Sequence, residues 1–413
     1  MTSSPPSTVA NPNGRPFLPA KPSGWMLSLA QALIGVDLAI NNRLQIDQGD
    51  LDVFNKIPPG SGLILTPNHA DEMDPRLCMR LSQLCNKRFI FMGNREAFDE
   101  MHGLGGWGLQ RLGVFSVERG GRDRPAKSYA LDVVRAGKDV LVIFPEGEIF
   151  YLNDSVQPFH SGAVDIGINA VIDRRKHEPN WTTYVVPMAI RYTYAEPINH
   201  LLELRIAEME KHLSRTQHGH DLHKRISGLM SEVLKREMET YKLQSDSEKL
   251  HQLSDQVKLV RRAILSQVEL KYKGIAAEQA RTIDRAWQLS AHVRKIMADG
   301  SSGEHHSILE KDLSQLKEVS QMASWQPEYW ETATSMDRLA EIVLKLEREI
   351  FKIKRPPQLA KRTVFVRIGE PVDLATFIPE FDANPHSLRH SLAEQLRTTI
   401  QHMIDGIDAK MQA

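Results

Sequence analysis

The sequence predicts an α/β fold: a central, mostly parallel sheet flanked by helices, with a large all-helical insertion. Three observations predict it. Between about residues 52 and 195, short apolar runs alternate with amphipathic segments at helical spacing. Between about residues 197 and 360, apolar residues recur at helical spacing alone, as in a bundle. After residue 360 a strand-like run, Val364–Ile368, indicates a return to the sheet.

The individual elements follow from apolar periodicity and from turn residues at the ends of each run. Strand candidates are residues 62–66, 88–92, 113–118, 140–144 and 184–191, and the clearest helical segments between them are 75–85 and 125–136. The 413 residues are enough for two or three domains. We expect a disordered, Pro- and Ser-rich N-terminus (1–24), an amphipathic helical segment (25–55), the α/β core (56–196), the helical insertion (197–360), the return strand of the core (361–378) and a C-terminal helix (379–413).

Charge and cysteine content restrict the possible partners and compartment. The 52 basic and 52 acidic residues give a formal net charge of zero, so nothing attracts the chain to nucleic acid in general. The two cysteines, Cys78 and Cys85, fall about 10 Å apart along one predicted helix, too far for a disulfide. We therefore expect free thiols and a reducing, cytoplasmic environment.

The most apolar N-terminal stretch runs from Trp25 to Ile40 and carries Gln31 and Asp37. The chain has no run of eighteen or more apolar residues, and no signal peptide precedes this stretch, so no transmembrane helix is expected. Two interpretations remain open: a helix lying in the membrane interface, with Trp25 at headgroup depth, or a helix packed on the domain. The first predicts peripheral membrane association.

The first chemical motif is Asn68-His69-x4-Asp74, which follows the apolar strand candidate 62–66. Active sites of open α/β sheets lie at the carboxyl ends of the strands, so His69 is in a suitable place. Asp74 has two possible roles, capping the following helix or accepting a hydrogen bond from His69. In the second role it fixes the imidazole tautomer and leaves the other ring nitrogen to take a proton.

Three later stretches extend this motif. Gly113-x4-Glu118-Arg119, Phe144-Pro145-Glu146-Gly147 and Val186-Pro187-x-Ala189-Ile190 follow in that order. With the His69 block, they make the chain resemble the glycerolipid acyltransferase family of the lysophosphatidate acyltransferase type, over about residues 60 to 195.

The resemblance implies an O-acyltransferase that moves a fatty acyl group from a thioester, acyl-CoA or acyl carrier protein, to a lysophospholipid hydroxyl in phospholipid synthesis. The implied acceptor is 1-acylglycerol-3-phosphate, attack on the thioester is direct, and no cofactor or metal is needed. His69 is the implied general base and Asp74 orients it. The positions implied in acceptor binding are Gly113, Arg119, Glu146 and Gly147.

The third block departs from the family pattern, in which Phe-Pro-Glu-Gly is followed by Thr-Arg. Here Glu148 and Ile149 follow, so an acid and an aliphatic residue replace a hydroxyl and a phosphate-binding cation. Either Arg119, with Arg122 or Arg124, holds the acceptor phosphate alone, or the acceptor is a different lyso-lipid or one without phosphate.

Other readings are weaker. The segment Gly103–Gly108 has the Gly-x-Gly-x-x-Gly spacing, but a polar stretch rather than a strand precedes it, which predicts a loop and no dinucleotide site. The histidines His212, His218, His220 and His223 cluster without a cysteine, and we expect no metal there.

Two alternatives to acyl transfer remain open. One is a hydrolase or transacylase that uses the same His-Asp pair, and the other is a non-catalytic scaffold that binds a protein partner through its helical insertion. The sequence does not fix the oligomeric state.

Overall fold

The computed structural model describes residues 15–121, 123–214, 219, 221–243, 252–300, 304–326, 328–329, 335–354 and 356–412. The chain divides into two compact units, one ending at Arg191 and resuming at Val364, the other spanning Tyr192–Thr363. His218, His220, Arg122 and most of the N-terminal segment predicted to be disordered lie outside the described residues.

An eight-stranded sheet organises the first unit. Its strands are β1 (Asn42–Ile46), β2 (Gly62–Pro67), β3 (Phe89–Asn94), β4 (Val114–Val117), β5 (Val140–Val142), β6 (Thr183–Tyr194), β7 (Arg362–Ile368) and β8 (Val372–Asp373). Their order is β1-β7-β6-β2-β5-β3-β4, with β8 beside β6. The five strand candidates between residues 62 and 191 and the return strand are confirmed, with bounds shifted by at most three residues.

Strand β2 lies near the middle of the sheet, and its residues Leu63, Ile64 and Leu65 are buried. It pairs in parallel with β5 on one side and with β6 on the other. Strand β3 continues the parallel pairing to β4 and β5. The carboxyl ends of β2 to β6 therefore meet at one edge of the sheet, which we call the carboxyl edge, and this edge is where a site is expected.

Helices surround this sheet. In chain order they are α1 (Gly24–Asn41), α2 (Gln48–Asp52), α3 (Asp74–Leu84), α4 (Arg95–Asp99), α5 (Leu104–Arg111), α6 (Arg124–Ala136) and α7 (Gly162–Arg175), followed after β8 by Ile378–Ala383 and Pro385–Gln412. The Asp123 side chain accepts from the Ala126 N–H at the start of α6, and Gly137 ends that helix with φ 61°. Helices α6 and α7 share one apolar core with β2, β5 and β6, represented by Ala130 and Ile168.

Helix α1 has one face towards the protein and one face exposed. Gln31 donates to the Ser82 hydroxyl of α3 at 3.1 Å, and Asp37 pairs with Arg76 of α3 at 3.5 Å. The exposed face carries five large apolar side chains, each more than half exposed: Trp25, Leu29, Leu33, Val36 and Ile40. We call these five residues the apolar stripe.

The expectation of no transmembrane helix stays a prediction, although one helix is long and apolar enough to cross a membrane. Helix α1 has 18 residues and a mean hydropathy of 1.3, and only 6% of it is buried. Its four polar residues, Ser28, Gln31, Asp37 and Asn41, do not lower the average below what a spanning helix needs, because the remaining residues are apolar or small. Other kinds of apolar helix share these properties, so its contacts must be weighed as well.

The segment Gly103–Gly108 is mostly helical, contrary to the predicted loop. Gly103, with φ 87°, ends a 3-10 turn, and α5 begins at the next residue. A side chain at Gly106 would lie 2.5 Å from the Phe98 carbonyl oxygen, so a glycine lets α5 pack closely on α4. A packing requirement therefore explains this glycine of the run.

The second unit is helical. Its helices are α8 (Asn199–His212), α9 (Leu222–Thr240), α10 (Leu253–Glu269), α11 (Thr282–Ala298), α12 (Glu304–Met322) and Met336–Phe351. The apolar positions predicted at helical spacing form its core, among them Ile226, Leu229, Val260 and Val343. These helices pack against one another through their apolar faces, as expected for a bundle.

Charged groups are also buried in this bundle. The Arg225 guanidinium donates to both carboxylate oxygens of Glu210, at 3.0 and 2.7 Å, and both side chains are buried. Such a bidentate pair satisfies the hydrogen-bonding needs of both groups. Either group alone would be a buried charge with neither a partner nor water.

We predict that Arg225→Ala lowers the free energy of unfolding by about 3–5 kcal/mol, since it leaves the Glu210 carboxylate buried and unpaired. Chemical denaturation followed by circular dichroism measures this. Arg236→Ala is the control: Arg236 lies 3.6 Å from Glu232 in an exposed pair, and its loss should change stability by less than about 0.5 kcal/mol. Equal effects of the two variants would contradict the prediction.

Candidate active site

The site begins where β2 ends, and Asn68 holds the chain there. Its side-chain oxygen accepts from the Ile190 N–H at 2.7 Å, and its side-chain nitrogen donates to the Ile190 carbonyl at 3.0 Å. This buried amide continues the pairing of β2 with β6 after the strand itself has ended. The next residue, His69, is therefore fixed at the carboxyl edge.

The His69 ring is held on two sides. Its Nδ1 lies 2.9 Å from Asp74 Oδ2, and its plane stacks on Phe144 with ring centroids 4.1 Å apart. Among the described residues, no hydrogen-bond partner is recorded for Nε2. With Nδ1 protonated towards Asp74, Nε2 is the nitrogen with an unshared pair that can accept a proton.

The structure decides between the two roles considered for Asp74. Helix α3 begins at Asp74 itself, and no side chain caps it. Asp74, which is 0% exposed, accepts both from His69 and from the Asp71 N–H at 2.9 Å. Burial raises the pKa of Asp74, while the hydrogen bond from His69 opposes that rise. Asp74 is therefore a buried acceptor that orients the imidazole, as the second alternative required.

Glu146 supports the same loop from the end of β5. Its two oxygens accept from the backbone N–H groups of His69, at 2.7 Å, and of Gln157, at 3.3 Å. Burial raises the pKa of Glu146 to about 8 from an ordinary value of 4.5, and the two backbone donors oppose that rise. Glu146 therefore holds the backbone of the site in place.

A histidine oriented by a buried carboxylate at the carboxyl edge fits the chemistry that the four sequence blocks imply. Residues 51–191 match the family model described as Acyltransferase. These residues are a glycerolipid acyltransferase domain. A search of curated proteins found no match for the chain.

Within the matched domain, Gly147 makes the turn that follows Glu146. Its φ is 76°, a conformation that glycine adopts readily, and its N–H donates to the Phe144 carbonyl at 3.1 Å. Glu146, on one side of this turn, accepts from the His69 N–H, and Glu148, on the other side, pairs with Arg119. Gly147 thus lies at the carboxyl edge, and its contact with the acceptor stays a prediction.

Arg119 and Glu148 form an ion pair at this edge. Arg119 Nη1 lies 2.7 Å from Glu148 Oε2, and both side chains are about one quarter exposed. The neighbouring Glu118 has a different function: its buried carboxylate is held by Arg15, with the shortest contact at 2.6 Å. Of the Glu118-Arg119 pair, the structure places Arg119 in the site and uses Glu118 to attach an N-terminal segment.

Gly113 does not join this group. Gly113 precedes β4, whereas Arg119 follows it, and so Gly113 lies at the amino end of the strand. Its φ is 86°, and a side chain there would come within 2.9 Å of the Phe89 carbonyl oxygen. The tight turn against β3 therefore explains why residue 113 is a glycine. Its place in the fold gives no support to the predicted contact with the acceptor.

The basic residues around the second block are largely occupied elsewhere. Lys127 pairs with Asp165, and the Arg111 guanidinium lies over the Trp107 ring. Arg124 is exposed at the start of α6. Within the described ranges, no group of three or more His, Cys, Asp or Glu residues is arranged to hold a metal ion.

Sequence reasoning missed three contributors. Phe144 was noted only as part of a motif, and its stacking on His69 becomes visible only when β2 and β5 are adjacent. Asn68 also counted only as part of a motif. An Asn directly before a candidate catalytic His could have indicated that its side chain holds the loop. Glu148 was recognised as a departure, but its ion pair with Arg119 was not foreseen.

We predict that Glu146→Ala destabilises the protein by about 1–3 kcal/mol for each of the two buried N–H groups that lose their acceptor. Thermal and denaturant unfolding measure the change. Glu178→Ala is the matched control, because Glu178 pairs with Arg174 on the surface and should contribute less than about 1 kcal/mol. Equal stabilities for wild type and Glu146→Ala would contradict the prediction.

The stability difference between wild type and Glu146→Ala should also depend on pH. The folded state holds a proton on Glu146 up to about pH 8, whereas the unfolded chain releases it near 4.5. The contribution of Glu146 is therefore fully present below pH 4.5 and declines as the pH rises to about 8. A difference that grows over this range would contradict the raised pKa.

Proposed function

We propose that this protein transfers a fatty acyl group from a thioester donor, acyl-CoA or acyl carrier protein, to the hydroxyl of a lysophospholipid in phospholipid synthesis. The family resemblance favours 1-acylglycerol-3-phosphate as the acceptor. The observation that carries the proposal is the 2.9 Å contact between His69 Nδ1 and a fully buried Asp74, with the ring stacked on Phe144. The acyltransferase domain supports acyl transfer in general.

In this proposal His69 Nε2 removes the proton of the acceptor hydroxyl as its oxygen attacks the thioester carbonyl carbon. Asp74 holds Nδ1–H and stabilises the imidazolium that forms. The C–S bond then breaks, and the imidazolium returns its proton to the departing thiolate. The acyl group passes directly to the acceptor, so no residue of the chain carries it.

The acceptor headgroup is proposed to bind beside Arg119 and Gly147. A guanidinium suits a phosphate because it offers several N–H donors in one plane. The Gly147 turn allows a headgroup to approach the backbone closely, since there is no side chain. A phosphate bound to Arg119 would also lie close to Glu148, because Glu148 is the ion-pair partner of Arg119.

We predict that His69→Ala lowers the rate of acyl transfer by about 10²–10⁴-fold, the usual contribution of a general base. Asp74→Asn should also lower it, because the imidazole loses its orienting charge. Purified variants are assayed with acyl-CoA and lysophosphatidate, and the products are identified by lipid mass spectrometry. Unchanged circular dichroism verifies folding.

Two results would count against this mechanism. Near wild-type turnover by folded His69→Ala would remove His69 from the chemistry. Release of free fatty acid from acyl-CoA at the same rate with and without acceptor would favour a hydrolase using the same pair.

We further propose that the protein associates peripherally with the cytoplasmic face of a membrane through the apolar stripe. Beside it, Met101, Leu104 and Trp107 are also more than half exposed. The helices α1 and α5 meet where the Ser23 N–H, at the start of α1, donates to the Arg111 carbonyl at the end of α5. Exposed tryptophans beside leucines suit the headgroup boundary of a bilayer.

The contacts of α1 support an interfacial position over a spanning one. A spanning α1 would have to give up its polar contacts with α3, which are the Gln31–Ser82 hydrogen bond and the Asp37–Arg76 pair. Lying in the interface keeps both and buries only the apolar stripe. A lipid acceptor then reaches the enzyme from the bilayer surface.

We predict that Leu29→Glu with Leu33→Glu abolishes flotation with liposomes containing anionic lipid, because two charges would enter the apolar boundary. Leu270→Glu is the control: Leu270 is 68% exposed but lies in the helical unit. Wild-type binding should be reversed by alkaline carbonate and weakened by salt. Membrane binding of the wild-type protein that resists alkaline carbonate would indicate a spanning helix. Flotation of the double variant with liposomes would show that the apolar stripe has no role in membrane binding.

A further inference from the structure

Glu148 stands where the resembled family has a small hydroxyl residue, and its carboxylate is fixed on both sides. Oε1 accepts from the Ile149 N–H at 3.1 Å, and Oε2 lies 2.7 Å from Arg119 Nη1. The backbone contact holds one carboxylate oxygen while the other faces Arg119. Glu148 is thus a built part of the headgroup region, two residues beyond the Glu146 that holds His69.

This pair changes the charge that an acceptor meets. Arg119 alone would present one positive charge, while Arg119 with Glu148 presents a positive and a negative charge side by side. Of the basic residues close in sequence, Lys127 pairs with Asp165 and Arg111 lies over the Trp107 ring. The position after Glu148 is Ile149, which brings no charge.

The charges of possible headgroups differ in the same way. A phosphate monoester carries about −1.5 to −2 charges near neutral pH. It must share Arg119 with Glu148 and is repelled by Glu148. A phosphodiester followed by an amine carries one negative and one positive charge, so its phosphate can share the guanidinium while its ammonium faces the carboxylate.

We propose that Glu148 is a specificity-determining residue, which with Arg119 selects a zwitterionic lysophospholipid over a phosphate monoester as acceptor. Arg119 receives the phosphodiester, and Glu148 receives the amine beyond it. The proposal rests on the proposed acyl transfer to a lysophospholipid, and it replaces the acceptor that the family resemblance favours, 1-acylglycerol-3-phosphate, by a zwitterionic one. It also accounts for the loss of the second cation at Ile149, since a singly charged phosphate needs less positive charge than a doubly charged one.

The test compares three acceptors of equal acyl chain with acyl-CoA as donor: lysophosphatidylethanolamine, lysophosphatidate and monoacylglycerol. The full-length protein is used as wild type, Glu148→Gln, Arg119→Gln and, as matched control, Glu178→Gln. Glu178 is the surface partner of Arg174 after the end of α7, away from the site. The readout is the ratio of kcat/KM between acceptors, because a general loss of activity cancels in that ratio.

Wild type should prefer the zwitterionic acceptor to the monoester. Glu148→Gln should lower that preference about tenfold, mainly through a lower KM for lysophosphatidate, since it removes a like charge beside the bound anion. Arg119→Gln should lower kcat/KM for both phosphate-bearing acceptors relative to kcat/KM for monoacylglycerol. Glu178→Gln should leave all ratios at the wild-type values.

The outcomes separate this proposal from the proposed function. If wild type acylates lysophospholipids through His69 but Glu148→Gln leaves the acceptor ratio unchanged, the role of Glu148 is wrong and acyl transfer stands. A wild-type preference for lysophosphatidate would also overturn the role of Glu148. If wild type acylates none of the three acceptors, the proposed function and this proposal both fail.

Discussion

The burial of the Asp74 carboxylate is the constraint on which the site depends. A charge removed from water must be hydrogen-bonded, and Asp74 finds its donors in the His69 ring and the Asp71 N–H. Both donors belong to the short loop between β2 and α3, so the loop has little freedom while the carboxylate stays buried. The same hydrogen bonds that satisfy the carboxylate therefore also aim the imidazole.

A second buried acid, Glu146, holds that loop from the neighbouring strand. Its oxygens bind backbone N–H groups rather than side chains, so it positions the chain on which His69 stands. The two acids thus divide the work: Asp74 sets the direction of the ring and Glu146 sets the position of its backbone. Burial raises the pKa of both groups, which follows from the shielding that makes their hydrogen bonds strong.

The more exposed parts of the domain follow a different logic. The Arg119–Glu148 pair and the apolar stripe of α1 are partly or mostly open to solvent, and contribute little to stability there. A row of exposed apolar residues adds nothing to the core and marks a surface that meets another protein or a membrane. The proposed selectivity and the proposed membrane contact therefore use the surface, and the proposed chemistry uses the buried site.

The sequence by itself determined the alternating strands and helices, the bundle periodicity and the four blocks, because apolar spacing and turn residues are local signals. It also placed His69 at a strand end. Contacts between distant segments were beyond it. The stacking of Phe144 on His69, and the pairing of Glu148 with Arg119 across 29 positions, exist only because parallel strands bring their carboxyl ends together. Gly113 and Arg119 belong to one motif in the sequence, but they lie at opposite edges of the sheet. Strand β4 runs between them, and only the tertiary structure decides which end of a strand faces the site.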